Sequence, residues 1–230
     1  MNEYQTSKIR NVALVGHNGS GKTTFVERAL FNTGATTRMG SVQAGTAVMD
    51  FEDEEMDRNS SVSASLAPVE FEGVKLNMLD TPGFMDFIGE VNSSLYVADS
   101  ALIFVEAVSG VEVGTEIVSQ AAAELDLPQM ILVNKMDRDN VRVFRVMDSI
   151  NNNLEGNFVN LQLPIGEGPT FTGVVDLFKM EARLGEKAEV APIPDDMADA
   201  AAEARNALIE AAAEGDDDLL EKFFEDEELT

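Results

Sequence analysis

The chain has no cysteine, a single histidine (His17), and only 16 lysines and arginines against 42 acidic residues. Without cysteine there is no disulfide framework and no thiolate metal site. No apolar run approaches the roughly 20 residues needed to span a bilayer. The polar start, Met1 to Arg10, holds no signal-peptide core. A cytoplasmic address is expected, with no membrane association. The shortage of basic residues leaves a net charge of −26, which argues against a broad nucleic-acid-binding face but leaves room for a local basic patch. The acidic excess is densest in the last fifth, where residues 181–230 hold 17 acidic and 4 basic side chains against 25 and 12 in residues 1–180. Such a tail is either a docking surface for a basic protein or a solvated surface suited to a salt-tolerant cell. No internal repeat is present. The 230 residues suit one large domain, or a domain with a subdomain, around a sizeable core.

Three short segments carry the chemistry. Gly16-His17-Asn18-Gly19-Ser20-Gly21-Lys22-Thr23 has the phosphate-cradling form G-x-x-x-x-G-K-[ST]. Asp80-Thr81-Pro82-Gly83 has the D-x-x-G form that senses magnesium and a γ-phosphate, and Asn134-Lys135-Met136-Asp137 has the N-K-x-D form that reads guanine. Each follows an apolar run that reads as a buried strand: Ile9 to Val15, Val74 to Leu79, and Met130 to Val133. Phosphate binding needs backbone N–H donors at close range, and Gly16, Gly19 and Gly21 let the main chain turn tightly enough to supply them. His17, Asn18, Ser20 and Thr24 belong to the same cradle, and the helix that follows offers its positive N-terminal end. Lys22 is expected on the β- and γ-phosphates and Thr23 on magnesium. Asp80 is expected to hold magnesium through water, while Gly83 gives its N–H to the γ-phosphate. Asp137 can accept two hydrogen bonds from guanine, N1–H and the exocyclic amine. Adenine has no matching donors and leaves that carboxylate unpaired. The stem of Lys135 can lie along the base, and Asn134 completes the motif. A hydroxyl from residues 34–65 should close over magnesium when the γ-phosphate is present. Among Ser60, Ser61 and Ser63, Ser61 is the choice, and ordering of this loop would be the switch.

Up to about residue 155 strand and helix alternate. Strands are expected at Ile9–Gly16, Leu66–Phe71, Val74–Asp80, Ala101–Ala107 and Gln129–Asn134. Helices are expected at Lys22–Asn32, Asp86–Val97, Glu112–Leu125 and Val141–Leu154, and residues 34–65 read as one long loop. This is the pattern of an α/β fold with a mostly parallel sheet covered on both faces, the motifs gathered at the strand C-termini. After Gly156 the text changes to short strands within Leu161–Lys179, a rigid connector at Ala191–Pro194, an Ala/Glu-rich helix at Asp196–Ala213 and a second helix at Asp216–Phe224. The expected organisation is therefore a nucleotide-binding core over residues 1–156 and an α+β subdomain over residues 157–230, acidic and helical toward its end.

These residues resemble the translational GTPases of the elongation factor G type, over nearly the whole chain. Arg10-Asn11-Val12, Gly21-Lys22-Thr23-Thr24, Val48-Met49-Asp50-Phe51, Arg58, Asp80-Thr81-Pro82-Gly83, Asp86-Phe87, Glu90-Val91, Gly110-Val111-Glu112 and Asn134-Lys135-Met136-Asp137-Arg138 carry the likeness. Leu161-Gln162-Leu163-Pro164-Ile165-Gly166 and Gly173-Val174-Val175-Asp176-Leu177 resemble that factor's inserted G′ subdomain, which elongation factor Tu lacks. The resemblance implies a P-loop GTPase three-layer fold, GTP/GDP and Mg²⁺ as ligands, Lys22 and Gly83 as catalytic groups, and Thr23, Ser61 and Asp80 at the metal. It implies a monomer acting on the ribosome, with the acidic G′ helices near stalk proteins. Three departures stand out. Gly19 replaces the phosphate-loop aspartate that would hold a monovalent cation. Phe84 replaces the histidine that positions the attacking water. No Ser-Ala element for the base follows Asp137, so the chain is expected to be a fragment or truncated product of a longer factor. Gly19 and Phe84 resemble a divergent elongation factor G-like subgroup, and with them nucleotide binding is expected to survive while turnover is slow or uses a different water-positioning device. His17 reads as a brace for its loop. The resemblance also leaves room for a ribosome-protection GTPase, or for a nucleotide-gated binding module that hydrolyses little.

Overall fold

The computed structural model describes residues 3–215 and Leu219. In chain order its elements are β1 (Ile9–Gly16), α1 (Lys22–Asn32), α2 (Asp53–Arg58), β2 (Ser65–Phe71), β3 (Val74–Asp80), α3 (Ile88–Val97), β4 (Ser100–Glu106), α4 (Val113–Glu124), β5 (Gln129–Asn134), α5 (Val143–Asn153), β6 (Gln162–Ile165), β7 (Gly173–Asp176), β8 (Glu181–Leu184), β9 (Glu189–Ala191) and α6 (Ala198–Ala213). They fall into two compact units: residues 1–135 with 145–155, and residues 136–144 with 156–230.

The first unit is built on a five-stranded sheet in the order β2-β3-β1-β4-β5. β1, β3, β4 and β5 run parallel and β2 is antiparallel to β3. Strand alternation explains its two cores. Ala13 and Val15 point to one face and pack with Val91 and Leu95 of α3 and Val118 and Ala122 of α4. Leu14, between them, points the other way, with Val26 and Leu30 of α1, Val69 and Phe104. Phe25 meets Phe104 edge-to-face with ring centroids 5.4 Å apart. The β2–β3 hairpin turns at Glu72 and Gly73, both at positive φ (46° and 79°), the geometry of a two-residue turn matched to sheet twist. Because the chain leaves β1 for β2 and β3 on one side of it and then crosses from β3 to β4 on the other, the C-terminal end of β1 lies at a topological switch point, where α/β sheets bind ligands.

The second unit is an antiparallel meander, β6-β7-β8-β9, with α6. Val175, Leu177, Ala201 and Leu208 are buried in its core. The mixed α/β architecture with a parallel main sheet agrees with the sequence expectation, and four details differ. Residues 34–65 are not one loop, because Asp53–Arg58 forms helix α2, its start closed by reciprocal Glu52 and Glu55 caps. The helix expected from Asp86 begins at Ile88, after a single 3₁₀ turn over Met85–Phe87. Strands β8 and β9 carry Glu, Arg and Ala among few large apolar residues, so they lack the apolar alternation that announces a strand. The segment 136–144 groups with the second unit, and the expected helix at Asp216–Phe224 lies outside the described residues apart from Leu219. No helix among the described residues is long and apolar enough to cross a membrane.

Candidate functional site

The phosphate loop runs from the end of β1 into α1. Lys22, the first residue of α1, is 5% exposed and its ammonium donates to the Gly16 and His17 carbonyls at 3.0 and 3.1 Å. The loop is thus closed around its own lysine. Gly21 has φ +102°, and a Cβ there would sit 2.3 Å from Asn134 Nδ2. That amide donates to the Ser20 carbonyl at 2.8 Å, so Asn134, at the end of β5, is tied to the phosphate loop. His17 brings Nε2 to 3.6 Å from the Glu112 carboxylate at the start of α4. Gly19 is exposed, and so is Thr24, the third residue of α1.

Gly83 comes against this loop from the end of β3. A Cβ on it would lie 2.5 Å from Asn18 Cα and 2.8 Å from Lys22 Nζ, so no side chain fits without moving backbone. Thr81 donates its hydroxyl to the Leu14 carbonyl at 2.7 Å, pinning the segment to β1. Phe84, next in the chain, is 44% exposed.

Asp80 is almost fully buried and neither of its carboxylate oxygens has a hydrogen-bond partner. Burial pushes its pKa up to about 7, with Asp50 and Glu27 adding to the rise. The Thr23 hydroxyl and the Lys22 ammonium hold it partly down, although Thr23 closes no hydrogen bond of ordinary geometry with it. Burial pulls Lys22 down to about 8 in spite of Asp80.

Beside Thr23 stands Ser61, the two hydroxyl oxygens 3.3 Å apart. Ser61 donates to Asp50 Oδ1 at 2.7 Å, and Asp50 Oδ2 is buried without a partner. Burial raises the Asp50 pKa, Ser61 lowers it, and Glu55 and Glu27 raise it. Unpaired buried carboxylate oxygens beside two hydroxyls are a hard-oxygen donor set, which suits magnesium, an ion held by few protein ligands plus water and phosphate. No group of three His, Cys, Asp or Glu side chains with metal-holding geometry occurs among the described residues, so a cation here rests on this mixed set.

Residues 34–65 fold back over the phosphate loop because three carboxylates collect their backbone N–H groups. Glu27 of α1, fully buried, accepts from Gly40, Val48 and Met49 at 3.1, 2.6 and 3.2 Å. Glu55 of α2, also fully buried, accepts from Phe51, Glu52, Val62 and Ser63 at 3.0–3.2 Å. Glu90 of α3 accepts from Ala64 at 2.9 Å, and Ser60 donates to Asn18 Oδ1 at 3.2 Å. The sequence motifs give Asp50, Glu27 and Glu55 no role. Glu27 has a faint signal, a charge beside Val26 on the buried stripe of α1; Glu55 sits among other acids and has none.

At the end of β5, Lys135 has φ +61° and pairs with Glu106 at 3.1 Å. Asn134 and Lys135 belong to the first unit; Asp137, exposed, belongs to the second.

A glycine loop at the switch point of a parallel sheet, a buried lysine inside it and a carboxylate–hydroxyl set beside it define a P-loop nucleotide-binding domain. The family model described as elongation factor Tu GTP binding domain matches residues 7–227, and the chain belongs to that family of translation-factor-type GTP-binding domains. A crystal structure of a protein from Thermus thermophilus is similar, with a TM-score of 0.90 and 38% identity over 97% of this chain. The chain spans 34% of that protein's length.

Proposed function

We propose that this chain is the GTP-binding domain of an elongation factor G-like translational GTPase of the divergent subgroup, binding GTP with magnesium and hydrolysing it slowly on the ribosome. The observation that carries the reading is the convergence of Lys22, Gly83, Thr23, Ser61 and the unpartnered Asp80 on one loop. Thr23, Ser61 and Asp80 would hold magnesium, with Asp50 anchoring Ser61. Magnesium, when bound, supplies positive charge to β- and γ-phosphate oxygens. Lys22, loosed from the Gly16 and His17 carbonyls, carries its charge to the same oxygens, and the Gly83 N–H donates to the γ-phosphate. Water attacks the γ-phosphorus in line and passes a proton to a γ-phosphate oxygen, the bond to the bridging oxygen breaks, and GDP leaves with the electron pair. Phe84 has no donor or acceptor to orient that water. Acidic helices near stalk proteins and a cytoplasmic address belong to the same reading.

Calorimetry tests the ligand: GDP and GTP should bind with magnesium and ADP and ATP should not, and equal binding of ATP overturns the reading. Phe84→His should raise hydrolysis in the full-length factor with ribosomes by about tenfold or more, the lower end of general acid–base contributions. Phe84 also favours a second reading, a nucleotide-gated binding module. A single-turnover assay with ribosomes separates the two, since no phosphate release over hours supports the module.

A further inference from the structure

The guanine motif crosses from one compact unit to the other. Asp137 lies in the segment 136–144, which belongs to the second unit. Two residues before Asp137, Lys135 is left-handed at φ +61°, a conformation that a side chain of this kind keeps only where its surroundings hold it. Within the second unit, the turn Gly166-Glu167-Gly168 after β6 holds the segment that follows it. The Gly168 N–H donates to the Met136 carbonyl, immediately before Asp137, at 2.9 Å. The Glu167 carboxylate accepts the Val143 N–H at 3.0 Å and the Arg142 guanidinium at 3.3 Å. Both ends of the segment are therefore fastened to one turn. The turn is itself braced, since the Glu167 N–H donates to Thr170 Oγ1 at 3.2 Å and that hydroxyl donates back to the Glu167 carbonyl at 2.8 Å. The approach is close: a Cβ on Gly168 would stand 3.1 Å from the Arg138 carbonyl oxygen.

An exposed carboxylate that must accept two directional hydrogen bonds needs a backbone held to within about half an ångström. A free nine-residue loop does not provide that. We propose that Glu167 is a positioning residue for Asp137, so that guanine selectivity depends on a turn in the second unit. The proposal rests on the guanine reading above.

Titration of the full chain with fluorescent GDP and IDP tests it, because inosine lacks the exocyclic amine and so makes one hydrogen bond fewer to Asp137. Wild type should prefer GDP by about tenfold or more, the worth of one hydrogen bond to a charged group. Asp137→Ala should remove that preference. Glu167→Ala should bring the GDP/IDP ratio to within about threefold of unity, with GDP affinity falling more than IDP affinity, since guanine loses two bonds to the displaced Asp137 carboxylate and inosine only its N1–H bond. Glu167→Gln keeps an acceptor for Val143 and loses the charge opposite Arg142, so its ratio should be intermediate. An unchanged ratio in Glu167→Ala overturns the proposal, and so does a parallel loss of GDP and IDP binding, which marks general destabilisation. If Glu167→Ala does not fold, Glu167→Gln decides, and a wild-type ratio there is the overturning result. A wild type without GDP preference overturns the guanine reading itself.

Discussion

Asp80 and Lys22 occupy the same buried space and are moved in opposite senses. Asp80 rises from 3.8 to about 7, so between those values the fold keeps a proton that the unfolded chain has shed, and stability falls as pH rises through that window. Lys22 falls from 10.5 to about 8, so between about 8 and 10.5 the unfolded chain keeps a proton the fold lacks, and stability falls as pH drops through that window and rises with pH. From these two groups the ligand-free domain is weakest between about pH 7 and 8. Asp80→Asn should flatten the fall below pH 7 and raise the urea midpoint at pH 8 while weakening magnesium-dependent nucleotide binding. Urea melts from pH 4 to 9 check this, and an unchanged slope would contradict it. Gly83→Ala should leave the circular dichroism spectrum intact. It should slow hydrolysis on the order of 100-fold, because an added Cβ meets Asn18 backbone and displaces the reacting geometry.

Among the elements, the segment over the phosphate loop is organised by anions. Replacing Glu55 by Ala leaves the N–H groups of Phe51, Glu52, Val62 and Ser63 without their acceptor. The expected local cost is about 2 kcal/mol, read as roughly 30-fold faster hydrogen exchange at those amides. Exchange in β1 should not change; if it accelerates equally, Glu55 supports the whole unit rather than this segment. The same segment shows where the sequence stops being legible. Motifs and the order of α/β elements follow from residue type and spacing, so β1, β3, β5, α1 and α4 are readable. Helix α2 is short and almost wholly charged, Met56 being its one apolar residue, so it shows no periodic stripe. Strands β8 and β9 are likewise short and partly charged. Asp50, Glu27 and Glu55 look like surface acids until burial and backbone partners are known. Ser61 is legible as a hydroxyl, but its partner Asp50, eleven residues upstream, becomes visible only once the chain folds back.

For the molecule as a whole, a net charge of −26 on 230 residues sets a background of self-repulsion. Raising sodium chloride from about 0.1 to about 0.5 M should relieve about 1 kcal/mol of it, lifting the melting temperature by about 3 °C, and a scan without nucleotide would show it. If the turn at Glu167 holds Asp137, bound GDP should slow hydrogen exchange in residues 136–144 as well as in the phosphate loop. Protection confined to the first unit would speak against that link.

The amide of Asn134 that donates to the Ser20 carbonyl leads to one last consequence. It fixes the span between the phosphate cradle and the strand end from which the base motif departs, before any ligand arrives. The two loops act as a calliper set at folding, so little ordering remains to be done when a nucleotide enters. Affinity lost on releasing that setting, as in Asn134→Ala, should therefore come through slower capture as well as faster escape.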